Sequence, residues 1–286
     1  MLEPRYCSIA ISGSLSFYYR KQGILMKKLS IITVNYNDAA GLEKTLSSIT
    51  KTDIIQVFVI DGGSTDGSLS VINKYSDIIT SYISEKDNGI YDAMNKGLTF
   101  CDGEFVLFLN SGDYFNKDIS LNVLFSKIDK NTDKNKVIFW SAKINSNNDF
   151  WYYPPLDIND TDDWMKTNLP NHQAMLFPKC FYKNNKYDLA MKIISDADYK
   201  YRAIKEYGYM YISQSFSTFE LGGISSQKIT WKYFKIRLKD FIIYTDKHYS
   251  RYEYIAEVLK QFGKLSVKLL LSKLLPDEKY SKIFKK

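Results

Sequence analysis

Cysteine is scarce in this chain of 286 residues: Cys7, Cys101 and Cys180 stand far apart, and His172 and His248 are the only histidines. Their spacing resembles neither a zinc site nor a disulfide framework, so a disulfide-stapled scaffold and a Cys/His metal centre are excluded. A reducing compartment is the simplest setting. Long apolar runs are missing as well. Nothing reaches the roughly 18 consecutive apolar residues of a membrane-spanning helix. Residues 6–19 are mildly apolar but broken by Ser, Gly and Tyr, and no small-residue cleavage site follows. Met26-Lys27-Lys28 directly precedes the first convincing strand, so residues 1–28 read as an N-terminal extension outside the fold. Internal repeats and low-complexity tracts are absent, which excludes solenoids and arrays.

What is present is an ordinary globular composition, 45% hydrophobic and 25% charged, with aromatic residues at 15%. The abundant tyrosines suit packing as well as stacking on sugars or bases. Charge is unevenly placed. From Lys228 onward there are 15 Lys and Arg against 6 Asp and Glu, a net of +9, while residues 1–227 carry a net of −2. Basicity belongs to a tail, and the body is not expected to bind nucleic acid.

Apolar runs alternate with helical patterns: Leu29–Val34, a helix from about Asp38 to Thr50, Gln56–Ile60, Ile78–Ile83, a helix from Ile90 to about Thr99, then Glu104–Leu109. This alternation predicts parallel βαβ units, with ligands outside the carboxyl ends of the strands. "NYND", "DGGSTDG", "SEKDNG" and "NSGDYF" all fall at such ends and should converge on one rim. Val137–Ala142 is expected as a fifth strand, residues 145–171 as an insertion or mobile loop, and Ser195–Glu206 as a helix opened by acids.

On that rim, Asp61 follows Phe58-Val59-Ile60 directly and has no evident local task, and Ser64 or Thr65 is placed to cap the next helix. In "EKDNGIYDAMNKG", Asn88-Gly89 marks a turn, and a helix amino end near Lys96 suits a phosphate. Asp113, with Asn110, Ser111 and Gly112 before it, fits a metal site, a weakened one or a polar turn. Asp196 and Asp198 point different ways from one helix, so a carboxylate there is either a cap or a general base. His172 fits a structural role or a substrate contact equally well.

Taken in order, "LSIITVNYND", "VIDGGSTDGS", "EKDNGIYDAMNKG", "GEFVLFLNSGD" and "SDADYKYR" resemble the family 2 glycosyltransferases with the GT-A fold. The likeness covers about residues 29–225 and is greatest to the bacterial branch that builds capsule, O-antigen or exopolysaccharide. It implies inverting transfer of a sugar from a nucleoside diphosphate (UDP or GDP) donor to a hydroxyl of a saccharide acceptor, with lipid-linked acceptors in view. By position, Thr33, Asn35 and Tyr36 would edge the nucleoside pocket and Asp61 would bond the base. Asn88, Gly89 and Asp92 would lie along the nucleotide, with Lys96 near the diphosphate. Asp113 would hold Mg²⁺ or Mn²⁺, and Asp196 would be the catalytic base, with His172 and Asp198 as further contacts. Three positions depart from the family: Met94 replaces a frequent Arg, Gly112 an acid, and Ser195 the Glu before the base.

The resemblance implies an α/β catalytic domain over 29–227, with a nucleotide half to about 115 and an acceptor half from 116, around a mostly parallel sheet. Residues 228–286 form a basic helical tail. There Ile255, Val258, Leu259, Phe262, Leu265 and Leu269 recur at helical spacing among Lys260, Lys264 and Lys268. Such a helix suits an anionic membrane surface, its own domain or a second subunit. A cytoplasmic enzyme, at the inner face of the membrane if the tail binds it, is the expected setting. A sugar nucleotidyltransferase is the neighbouring alternative, but "TVNYNDAAG" lacks the glycine-rich basic loop that a triphosphate needs. A non-enzymatic polysaccharide- or nucleic-acid-binding protein is favoured only by the tail and the aromatics.

Overall fold

A computed structural model describes residues 27–117, 121–130, 134–146, 149–221, 229–276 and 280. The N-terminal extension, Cys7 among it, lies almost wholly outside them. The chain divides into two compact units. One takes in the chain up to Lys186 together with Tyr199–Glu220; the other joins Tyr187–Asp198 to the chain from Leu221 onward.

The first unit is built on strands β1 (Leu29–Asn35), β2 (Ile55–Asp61), β3 (Ser81–Ser84) and β4 (Phe105–Phe108). They pair in parallel in the order β4-β1-β2-β3. Central parallel strands are covered on both faces, which is why β1 reads LSIITVN and is buried at every position. Two strands extend the sheet beyond β4: β9 (Met175–Pro178), antiparallel to both neighbours, and then β6 (Val137–Trp140). β10 (Tyr209–Ile212) pairs in parallel with β6 to complete seven strands. A second sheet has the order β5 (Tyr114–Phe115), β11 (Ser217–Glu220), β7 (Ala142–Ser146), β8 (Asp149–Tyr153).

Helices α1 (Ala39–Ser47), α2 (Ser68–Lys74) and α3 (Ile90–Phe100) follow β1, β2 and β3. α3 lies so close to the sheet that a Cβ on Gly97 would come within 2.6 Å of the Ile32 side chain. Three shorter helices follow: α4 (Leu121–Lys130), α5 (Thr161–Met165) and α6 (Lys179–Tyr182).

Several expectations shift. β3 starts three residues late because the Ile78 and Ile79 amides bond back to the Tyr75 carbonyl, forming a turn. The run 137–142 is not one strand. It breaks at Ser141, whose amide donates to the Gln214 carbonyl, and the chain passes from one sheet to the other. Residues 145–171, expected as an insertion or loop, contain the edge strand β8 and helix α5.

The second unit holds the start of α7 (Ser195–Tyr207), with α8 (Trp231–His248) and α9 (Arg251–Leu274). Ile229, Phe234, Leu265, Leu269 and Tyr280 form its apolar core. Three side chains of α8 hold the segment before α7 and the first turn of α7 itself. Asp240 is buried and accepts from the Ile193 and Ile194 amides at 2.5 and 3.2 Å. His248 pairs with Asp198 at 2.8 Å, and Lys247 pairs with Asp188.

Candidate active site

The parallel register aligns Asn35, Asp61 and Ser84 side by side at the carboxyl ends of β1, β2 and β3. Asp61 is fully buried. It accepts from Asn35 Nδ2 at 2.7 Å, the Ser84 hydroxyl at 2.6 Å, the Ser64 amide at 2.9 Å and the Ser64 hydroxyl. Burial raises its pKa, but these four bonds outweigh burial and hold the carboxyl below its ordinary value. No local task for Asp61 was evident from the sequence; in the structure every lone-pair position of the carboxylate is engaged. Ser64 is thereby drawn away from capping. Gly67 is the N-cap of α2, and Asp66 instead accepts from the Ser68 amide at 3.1 Å.

Beside this row, Tyr36 stands 68% exposed. A Cβ on Gly62 would meet the Tyr36 ring at 3.1 Å and the Asp87 carboxylate at 2.7 Å, so any side chain there would displace the Asp87 carboxylate. Thr33 Oγ1, Asn35 Oδ1 and Asn110 Oδ1 are buried without a hydrogen-bond partner. All three belong to the carboxyl ends of β1 and β4.

In the stretch 85–97 the polar groups meet one another. Asp92 accepts from the Asn88 amide at 2.9 Å, and the Gly89 amide donates to Asp87 at 2.8 Å. Lys96 contacts Glu85 at 2.7 Å and Asp92 at 3.9 Å, and the Glu85 bond raises its pKa. The helix start expected to hold a phosphate is therefore partly filled by Asp92. Met94 is 1% exposed on the core face of α3, so the departure from Arg there concerns packing rather than a diphosphate contact.

Asp113 follows β4 through a turn in which Gly112 adopts φ +94°, a conformation that L side chains rarely take. This gives a backbone reason for the missing acid at that position. Asp38 brings a carboxylate close by instead: its Oδ2 lies 3.9 Å from where a Gly112 Cβ would stand and accepts from the Ser111 hydroxyl at 3.0 Å. Asp113 itself is 4% exposed and accepts from the Glu220 amide at 3.3 Å and from the Gln173 side chain. Burial pushes its carboxyl well above the ordinary range, against the opposing pull of those two donors. The turn offers only oxygen donors, the Asp113 carboxylate, the nearby Asp38 carboxylate and the orphaned Asn110 Oδ1, a set that fits a hard divalent cation. Among the described residues no cluster of three or more His, Cys, Asp or Glu exists, so donor oxygens or water would complete the shell.

His172, expected as a contact, is buried, its ring stacked on Phe108 at 4.9 Å between centroids. Asp198, the other expected contact, is fully buried on His248. Asp196 stands in the first turn of α7, in the second unit, next to Ser195, whose buried hydroxyl has no hydrogen-bond partner. Glu220, Gln173 and Asp38 escaped the sequence reading. Only Asp38 left a signal there, as an Asp opening a helical pattern.

The chain matches the family model of glycosyl transferase family 2 over residues 30–196. It belongs to glycosyltransferase family 2. Among curated relatives, an uncharacterised glycosyltransferase of Mycobacterium tuberculosis (strain CDC 1551 / Oshkosh) is 37% identical over 90 residues. That match covers 30% of this chain and spans only 34% of the relative's length. A PGL/p-HBAD biosynthesis glycosyltransferase of Mycobacterium bovis is 25% identical over 216 residues, covering 72% of this chain and 82% of the relative. Two solved structures share the fold. Staphylococcus aureus TarS 1–349 in complex with UDP-GlcNAc has a TM-score of 0.61 at 18% identity, over 83% of this chain and 72% of TarS. The mannosyltransferase PcManGT of Pyrobaculum calidifontis, in complex with GDP-Man and Mn²⁺, has a TM-score of 0.54 at 14% identity, over 95% and 86% of the two chains. This family 2 chain therefore has the GT-A architecture.

Proposed function

We propose that the chain transfers a sugar, with inversion, from a nucleoside diphosphate donor (UDP or GDP) to a saccharide hydroxyl in the building of a bacterial surface polysaccharide. The observation that carries this reading is the set of three buried, unpartnered oxygens at the strand ends beside the buried Asp113. Asn35 Oδ1 could accept a base N–H, and Thr33 Oγ1 could donate or accept, once the rim loops move to uncover these shielded oxygens. Asp61 would reach the base only by giving up the Ser64 or Ser84 hydroxyl, so its first task is to hold the rim together. Tyr36 edges the nucleoside, and Asn88, Gly89 and Asp92 flank the nucleotide. Lys96 would move from Glu85 to reach the diphosphate.

Asp113 and Asn110 would hold Mg²⁺ or Mn²⁺, which when bound neutralises charge on the departing diphosphate. A bound cation would oppose the upward push that burial gives the Asp113 carboxyl. Asp196 takes the proton from the acceptor hydroxyl. The acceptor is lipid-linked in this reading, and α9 supports it. Ile255, Leu259, Phe262, Leu270 and Leu274 remain exposed along that helix, with Lys260 and Lys264 beside them. This pattern fits the inner face of an anionic membrane.

The test is a calorimetric titration of UDP, GDP, CDP and their sugars, with and without Mn²⁺. Donor binding that strengthens with Mn²⁺ is expected, and Asp113→Asn should remove that gain. Asp196→Asn should abolish transfer and leave donor binding intact. Failure to bind any nucleotide would overturn the reading, and full turnover by Asp196→Asn would remove the base assignment.

A further inference from the structure

The outer face of the four-stranded sheet has features that the donor rim does not use. Cross-strand register sets Tyr114 opposite Thr218, Thr218 opposite Lys143, and Lys143 opposite Tyr152. Residues directly opposite in neighbouring strands share a face. One residue from each strand therefore forms a continuous row across the sheet, roughly 14 Å long for three strand spacings. The row lies in a cavity of about 490 Å³, which Lys117 and Gln214 also line.

The floor of this cavity is already hydrogen-bonded to itself. Asn116 donates to the Ser215 carbonyl at 3.0 Å and accepts from the Thr218 hydroxyl at 2.5 Å. The Tyr114 hydroxyl donates to Glu220 at 3.2 Å and accepts from Asn145 at 3.1 Å. Such a floor is fixed before any ligand arrives. Lys117, Lys143, Tyr152 and Gln214 line the rest of the cavity, and the Lys143 ammonium sits over the Phe150 ring, 4.3 Å from its centroid.

Charge narrows the ligand class. Among the described residues no Asp or Glu lines the cavity, and its two lysines contrast with the net of −2 over residues 1–227. Glu220 is the nearest acid along the row of β11, and Lys44 neutralises it at 2.7 Å. Aromatic faces beside hydroxyls and amides suit sugar rings, whose C–H faces stack while their hydroxyls bond. Two lysines, with Glu220 already paired to Lys44, add a preference for anionic substituents.

We propose that this face binds an extended saccharide chain bearing phosphate or carboxylate groups, held across the strands by Tyr114, Lys143 and Tyr152. Binding of such a chain stands by itself. Its identification as the part of the acceptor remote from the reacting hydroxyl rests on the transfer reading above.

The experiment titrates the full chain with three probes: oligogalacturonate, maltohexaose as its neutral counterpart, and a single-stranded oligonucleotide. Oligogalacturonate should bind at least tenfold more tightly than maltohexaose, and more weakly as salt rises. Lys117→Ala/Lys143→Ala should lose that binding tenfold or more while leaving UDP or GDP titrations unchanged. Tyr152→Ala should weaken both saccharides, which a purely electrostatic surface would not do. Equal binding by wild type and the double lysine variant, or no binding by wild type, overturns the proposal. Tighter binding of the oligonucleotide overturns the saccharide class. Saccharide binding without any nucleotide binding would remove the transfer reading and leave this one standing.

Discussion

Asp61 shows how one buried carboxylate can tie three strand ends together. Asp61→Ala would leave the Asn35, Ser64 and Ser84 donors facing each other without an acceptor, at a cost of about 2–4 kcal/mol in a denaturant melt. Its pH dependence has a definite sign. The folded pKa lies below the unfolded one, so the contribution is complete above roughly pH 4 and is lost as pH falls toward the folded value. Melts at pH 6 and pH 3 should therefore show a smaller acid loss in Asp61→Asn than in wild type. Cys101 offers a second check. It is fully buried, and burial pushes its thiol up to about 12. Peptide mapping after alkylation at pH 8 should find Cys101 unlabelled until denaturant is added, while the partly exposed Cys180 reacts. Asp61 and Asp113 were legible in the sequence because each ends an apolar run at a glycine-containing turn. Their partners were not: Ser84 lies 23 residues from Asp61, and Glu220 lies 107 from Asp113. Nothing local marks a residue that the chain brings back from so far.

Among the elements, α8 has a task beyond its own packing. Its Asp240 satisfies the two amides just before α7, the helix that carries Asp196. Asp240→Ala should lower stability on the order of 2 kcal/mol by leaving both amides unpaired. It should reduce kcat more than donor affinity, while Asp240→Asn, which keeps an accepting oxygen, should recover much of both. Steady-state kinetics with calorimetry separates the two effects. The sequence showed the parallel strands, because buried parallel strands are apolar throughout, and it showed the periodic helices. It hid β8, where Asp149-Phe150-Trp151-Tyr152-Tyr153 lies half-exposed at a sheet edge and alternates only weakly. The core-facing place of Met94 was hidden for a related reason: a motif position gives no sign of which face of α3 it occupies.

Across the whole molecule, charge and apolar exposure both concentrate in the tail. Among the described residues no helix is long and apolar enough to cross a membrane, so attachment would be by the exposed stripe of α9. Co-sedimentation with phosphatidylglycerol vesicles should fall as salt rises, and Leu259→Glu/Leu270→Glu should abolish it. If that variant instead dissolves a dimer in size-exclusion chromatography and vesicles never bind, the stripe covers a second copy. The tail was visible from its composition alone, whereas the grouping of residues 187–198 with it was not. The break at Ser141 carries a further consequence. Strands on either side of one residue serve two different sheets, Val137–Trp140 in the larger and Ala142–Ser146 in the smaller. Adding or deleting one residue there would reverse every side chain of β7, turning Ala142 and Ile144 outward and Lys143 and Asn145 inward. Evolution can change the letters of this stretch far more freely than its length.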